Sequence, residues 1–265
     1  MERLFFQREW QRISLKPLAS ASAAPVADRG VYATFYRQWT ADGQALAPEW
    51  VAVKRRIGEW IADACVAPRG ANGSTWVLSV GAGLGFVERV LVERGYQVDA
   101  LECEAESLKY LATHVAGVRG MIGDARQIPC RDGLYDVAYL STVDYCFDRL
   151  EYVQVLRELR RVMRPEGRVV VICASNLCLQ EIARLAARRV LARRLARDRE
   201  QVPWGYMRTI GAHLRAGRTA GLACEEVSLF DQAFRLLGTR PGASWRAGWP
   251  TFNDAVVAVI FRRAA

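Results

Sequence analysis

The stretch from Trp76 to Glu102 constrains the chain more than any other. An apolar run, Trp76-Val77-Leu78-Ser79-Val80, stops at Gly81-Ala82-Gly83-Leu84-Gly85. A helical pattern follows, and a second apolar run ends on Glu102. Glycines at alternate positions after a strand let the backbone turn sharply and touch a ligand, which a Cβ would prevent. The helix that follows offers unpaired N–H groups at its start. An acid about twenty residues on, ending the next strand, is placed to accept hydrogen bonds from a ribose diol.

From Trp76 to Cys173 strand and helix patterns alternate, as in a parallel sheet with crossover helices. The spacing predicts strands at 76–80, 97–102, 118–122, 135–141 and 167–173, with helices near 84–94, 105–115 and 149–163. Two further strands, 223–230 and 255–262, are expected around a long loop that holds Trp245, Trp249 and Phe252. Upstream, Pro48 opens a helix with Val53, Ile57, Trp60, Ile61 and Ala64 on one face. The aromatic residues before it, Tyr32, Phe35, Tyr36 and Trp39, read as packing residues, with Tyr32, Tyr36 and Trp39 as candidates to line a substrate pocket.

Spacing narrows the ligand. The dinucleotide fingerprint needs glycine at position 86, where Phe86 stands, and no basic or hydroxyl side chain lies between Gly81 and Val87. Downstream come Gly123-Asp124-Ala125-Arg126-Gln127-Ile128-Pro129, then Asp132-Gly133-Leu134-Tyr135-Asp136-Val137, then Arg164-Pro165-Glu166-Gly167-Arg168. With the glycine turn and Glu102, these resemble the ordered motifs of class I S-adenosylmethionine-dependent methyltransferases. Glu166 departs from the glycine usual in the last motif. The resemblance covers residues 76–173 well and 205–262 loosely.

It implies an α/β fold: a seven-stranded, mostly parallel sheet with helices on both faces and the last strand antiparallel. An N-terminal helical and aromatic cap would occupy residues 1–70. The Rossmann-like domain would take 71–265, with a basic helical region at about 176–220. It also implies that Gly81, Gly83 and Gly85 lie under the methionine and ribose parts of S-adenosylmethionine and that Glu102 holds the ribose hydroxyls. Asp124 and Ala125 would hold the adenine. Asp99, three residues before Glu102, is the poorer ribose candidate, and Asp136 reads as structural.

The segment after the fourth strand, Ser141 to Asp148, faces the methyl group in that family. Where many small-molecule members carry a His-His pair, this chain has Asp144 and Tyr145. Asp144 is the candidate base or orienting acid and Tyr145 its neighbour; both are the catalytic candidates. His114 and His213 both read as solvent-facing. No metal is expected.

Composition bounds the rest. Seven cysteines form no C-x-x-C pair, which fits reduced thiols in a cytoplasmic protein. Apolar runs are too short to span a bilayer and no signal-peptide pattern opens the chain. Residues 174–265 carry fifteen basic and seven acidic side chains, most of the chain's net charge of +9. Arg184 to Arg199 is densest in positive charge. The leading expectation is a methyltransferase acting at O or N on a small or medium-sized metabolite. A nucleic-acid or ribosomal-component substrate, met through the basic C-terminal third, is the alternative, and a non-catalytic scaffold the third reading.

Overall fold

The computed structural model describes residues 48–66, 74–173, 178–179, 183, 208–242 and 255–264. Tyr32, Tyr36 and Trp39, most of the expected cap and the arginine run from 184 to 199 lie outside the described residues.

In chain order the elements are helix α1 (Pro48–Trp60), strand β1 (Trp76–Val80), α2 (Phe86–Glu93), β2 (Gln97–Glu102), α3 (Ala105–His114), β3 (Val118–Ile122) and β4 (Tyr135–Ser141). A 3-10 turn (Asp144–Cys146) leads to α4 (Arg149–Val162), β5 (Met163–Cys173), α5 (Ile210–Thr219), β6 (Leu222–Phe230), β7 (Leu236–Pro241) and β8 (Val256–Arg263). They form one sheet in the order β3-β2-β1-β4-β5-β8-β6-β7. The first five strands are parallel, and β8 runs antiparallel to both β5 and β6. The order reverses between β1 and β4, and in such sheets ligands bind in the crevice at the carboxyl ends of the strands flanking that point.

The strand sequences explain the layering. Leu78, Val80, Ala138, Leu140, Val169 and Val171 point to the face covered by α4 and α5. Val77, Val137, Tyr139, Val170 and Ile172 point to the other, beneath α1 and α2. Strands buried on both faces read as continuous apolar runs, which is why β1, β4 and β5 stood out in the sequence. Asp136 holds the opposite end of the sheet: its carboxylate accepts from the Trp76 N–H at 2.8 Å and pairs with Arg164 at 2.7 Å.

Three expectations change. The described residues hold eight strands, not seven, because β7 pairs with β6 as a hairpin inside what read as a loop; its residues are all exposed, so it has no buried face and no apolar alternation to betray it. β5 begins at Met163, ahead of the expected 167, with a register shift against Tyr135 and Val137. The helical face of α1 also changes where it runs into a π-turn at Ile61–Cys65, and there Cys65 is buried and Ala64 exposed. Up to that point the face packs as expected, with Ile57 buried, and Ile61 at the start of the π-turn is buried too. Gly58 lets α1 lie close on α2, since a Cβ there would come 3.1 Å from the Val87 carbonyl oxygen. All seven cysteines are unpaired, as expected.

Helix α4 begins with a complete capping box. Asp148 Oδ1 accepts from the N–H groups of Leu150 (2.7 Å) and Glu151 (2.8 Å), and Glu151 Oε2 accepts from the Asp148 N–H at 2.8 Å. Such a cap satisfies donors that the helix cannot satisfy itself. Asp148→Ala is expected to cost about 1 kcal/mol and lower the unfolding midpoint by about 2–4 °C, measured by thermal denaturation; an unchanged midpoint would show that solvent replaces the cap.

Candidate active site

The glycine turn sits at the carboxyl end of β1. Gly81, Gly83 and Gly85 have φ of 75°, 63° and 76°, a left-handed region that side chains with a Cβ rarely adopt. Space is restricted as well. A Cβ on Gly81 would lie 2.5 Å from Val143 Cγ2, and one on Gly85 would lie 2.7 Å from Val115 Cγ2. The turn is therefore bare backbone, with Val143 from the loop after β4 lying directly against it.

Glu102 ties the second strand to this turn. Its Oε1 accepts the Gly83 N–H at 2.6 Å, while the Gly81 N–H donates to the Leu101 carbonyl at 2.9 Å. The Ser107 hydroxyl, at the start of α3, donates to the Gly83 carbonyl at 3.0 Å. Burial pushes the Glu102 carboxyl up to about 7, against the pull of the Gly83 N–H, and the nearby Glu88 adds to the rise.

Gly123 donates to the Glu102 carbonyl at 2.9 Å, so the segment that follows β3 docks beside the same strand end. Asp124 is exposed, and Ala125 is buried. The Asp124 carboxylate accepts the Arg126 backbone N–H at 2.7 Å and pairs with its guanidinium at 2.7 Å. Partial burial works against ionisation, but the Arg126 contacts prevail and hold the group below the usual carboxylate range. The turn, Glu102 and the 123–125 segment thus converge on one strand end.

Asp144 and Tyr145 are placed differently from the expectation of an acceptor-facing pair. Both are buried, at 0% and 4% exposure. The Asp144 carboxylate lies 3.9 Å from His213 Nε2 on α5, and His213 Nδ1 lies 2.8 Å from the Tyr152 hydroxyl on α4. Arg208 closes this region by donating to the backbone carbonyls of Asp144 (2.7 Å), Phe147 and Asp148 (3.0 Å). Its guanidinium also stacks over the Tyr152 ring. Burial raises the Asp144 carboxyl to about 6, opposed by the Arg208 charge. Burial and Arg208 together push His213 down to about 3, so the imidazole is neutral.

His213 is therefore a core residue, which corrects its reading as solvent-facing; its hydrogen-bonding neighbours at Nδ1, the Tyr152 hydroxyl and the Cys173 thiol, are distant in sequence. His114 is exposed, as expected. One ligand-type atom from each of Asp144, Cys173 and His213 lies within 4.8 Å of the others, the one such group among the described residues. The Arg208 charge alongside opposes a cation there.

Two groups escaped the sequence reading. Glu88 on α2 is 1% exposed, and its Oε1 accepts from Ser79 Oγ at 2.6 Å and from the Tyr139 hydroxyl. Its Oε2 is buried without a hydrogen-bond partner, and burial raises its pKa. The signal was available: Glu88 lies on the same helical face as Leu91, which is buried. Lys54 on α1 reaches Thr142 Oγ1, just beyond β4, at 3.5 Å. Nothing local to residue 54 marks that contact.

Residues 78–171 match a family model described as a methyltransferase domain. The chain has the class I S-adenosylmethionine-dependent methyltransferase fold. It is 30% identical over 132 residues to the malonyl-[acyl-carrier protein] O-methyltransferase of Serratia marcescens, a match over 49% of each chain. It is 32% identical over 114 residues to the enzyme of the same name from Pectobacterium atrosepticum, over 43% of this chain and 44% of that one. The matches span about half the length of these relatives. Among solved structures, mitomycin 7-O-methyltransferase superposes with a TM-score of 0.56 at 16% identity, over 97% of this chain and 68% of that one. A TehB-like SAM-dependent methyltransferase from Corynebacterium glutamicum gives 0.51 at 17% identity, over 88% and 96%. These likenesses support S-adenosylmethionine as the cofactor. The bare turn, with the Glu102 carboxylate beside it, suits a nucleoside with a ribose diol.

The raised Glu102 pKa carries a consequence for this fold's donor. A carboxylate accepts diol hydrogen bonds better than a carboxylic acid, and the free protein gains that charge as pH rises through about 7. S-adenosylmethionine affinity should therefore weaken from pH 8 to pH 6, and Glu102→Gln should flatten that dependence. Calorimetry at the two pH values checks it; an equal slope in both proteins assigns the dependence to another group.

Proposed function

We propose that this chain is a methyltransferase that moves the methyl group of S-adenosylmethionine to an oxygen or nitrogen on a small or medium-sized metabolite. The observation that carries the reading is the Gly83 N–H bonded to Glu102 Oε1 at 2.6 Å, which fixes a bare glycine turn against an acid at the end of the second strand. When bound, the sulfonium supplies an electrophilic methyl group. The chain's own work is then to hold the donor, aim the acceptor and exclude water, and positioning of this kind lowers a displacement barrier substantially.

Glu102 takes the ribose, and Asp124 with the Ala125 backbone takes the adenine. Tyr32, Tyr36 and Trp39 line the acceptor from the N-terminal segment. Asp144 and Tyr145 act on the acceptor side by shaping the loop that begins at Ser141. The buried Asp144, held between His213 and the Arg208 clamp, keeps Val143 against Gly81. The likeness to the Serratia and Pectobacterium O-methyltransferases favours oxygen over nitrogen.

The test is incubation of the purified protein with S-adenosylmethionine and a low-molecular-weight metabolite extract, followed by mass spectrometry for products heavier by one methylene unit. Cofactor-dependent products are expected. Glu102→Ala should lower donor affinity by about tenfold or more, equivalent to about 1.4 kcal/mol. A protein that binds the donor yet yields no methylated small molecule would sink the substrate class.

A further inference from the structure

Lys54 is one of three lysines in a chain whose other basic residues are all arginine. It projects from α1 to the carboxyl end of β4, where its Nζ lies 3.5 Å from Thr142 Oγ1 and 5.5 Å from the centroid of the Trp50 ring. Thr142 is held in a left-handed conformation, with φ of 61°, and its N–H donates to the Ile172 carbonyl at 2.8 Å. Its hydroxyl proton goes to the Ser141 carbonyl at 2.6 Å, so Oγ1 meets Lys54 as an acceptor. An ammonium has three donors. Among the described residues Thr142 is its one hydrogen-bond partner, and no carboxylate lies within ion-pair distance of Nζ.

An ammonium in such a position is costly unless a counter-charge meets it. Glu88 is the acid whose charge acts on it, yet Ser79 and Tyr139 already hold that carboxyl and burial disfavours its ionised form. Burial lowers the Lys54 pKa to about 8, and Glu88 offsets this in part. The ammonium stays largely charged at neutral pH. It stands at the β1/β4 reversal, next to the loop whose Val143 touches Gly81, and so at the edge of the cofactor cleft.

We propose that Lys54 is a carboxylate-binding residue of this cleft, pairing with a ligand carboxylate that enters at the ends of β1 and β4. The inference rests on S-adenosylmethionine occupying the cleft. Two carboxylates share the required chemistry: the methionine carboxylate of the donor and a carboxylate on the acceptor. Lysine suits either, as a compact charge on a flexible stem.

The experiment compares the unsubstituted protein with Lys54→Met, which keeps an apolar stem against Trp50. Calorimetry is run with S-adenosylmethionine, with decarboxylated S-adenosylmethionine, and with malonate added to the protein saturated with S-adenosylhomocysteine. A thermal melt of each protein shows that both are folded. If the donor supplies the carboxylate, the unsubstituted protein prefers S-adenosylmethionine over its decarboxylated form by about tenfold or more, and Lys54→Met abolishes that preference while still binding the decarboxylated form. If the acceptor supplies it, donor binding is equal in the two proteins and malonate binding is lost in Lys54→Met. Equal behaviour of the two proteins toward all three ligands overturns the proposal. Failure of the unsubstituted protein to bind S-adenosylmethionine at all overturns the cofactor reading first, and this inference with it.

Discussion

The hydrogen bond from the Gly83 N–H to the Glu102 carboxylate joins the two pieces of chain on which the cleft depends. A glycine turn with three left-handed residues has little intrinsic reason to hold one shape, because glycine pays the largest backbone entropy on ordering. Here the shape is imposed from outside. β2 supplies the acceptor, the Ser107 hydroxyl secures the Gly83 carbonyl, and Val143, Leu111 and Val115 occupy the space that Cβ atoms would need. The turn is thus a rigid backbone surface made by its neighbours, and its one ionisable group is an acid whose charge burial has made marginal near neutral pH.

A second buried polar group controls the other wall. Asp144, His213, Tyr152 and Arg208 come from the loop after β4, from α5, from α4 and from just before α5. Arg208 donates to the backbone carbonyls of this loop, which fixes its path, and its charge acts on Asp144 as well. Both Asp144 oxygens and His213 Nε2 lack a hydrogen-bond partner of good geometry. Unsatisfied groups in a core cost stability, so this cluster stands beside the loop at a cost that packing alone would not require it to bear.

The sequence made the glycine turn and the acid beside it legible because they are built from local features. Strand, glycine turn, helix and terminal acid lie within one stretch, and periodicity places them without knowledge of distant contacts. The sheet's central strands were legible because burial on both faces leaves continuous apolar runs. The same logic fails for β7, whose exposed residues carry no pattern, and for the hairpin that adds it to the sheet. It fails for His213, whose partners Tyr152 and Asp144 lie 61 and 69 positions away, and for Lys54, which meets Thr142 across 88 positions. Glu88 belongs between these cases: its helical face was readable, but its Tyr139 partner was not.

The place of β8 has a consequence for how the sheet is assembled. It is the last strand described, yet it lies inside the sheet, between β5 and β6. The β6–β7 hairpin comes earlier in the chain but reaches β5 only through β8. During synthesis, then, the cofactor-side strands β1 to β5 can pair as they emerge, while the hairpin has no place to dock until residues 256–263 have been made. Until then the open edge of β5 presents unpaired backbone groups, a surface of the kind that invites pairing with other chains.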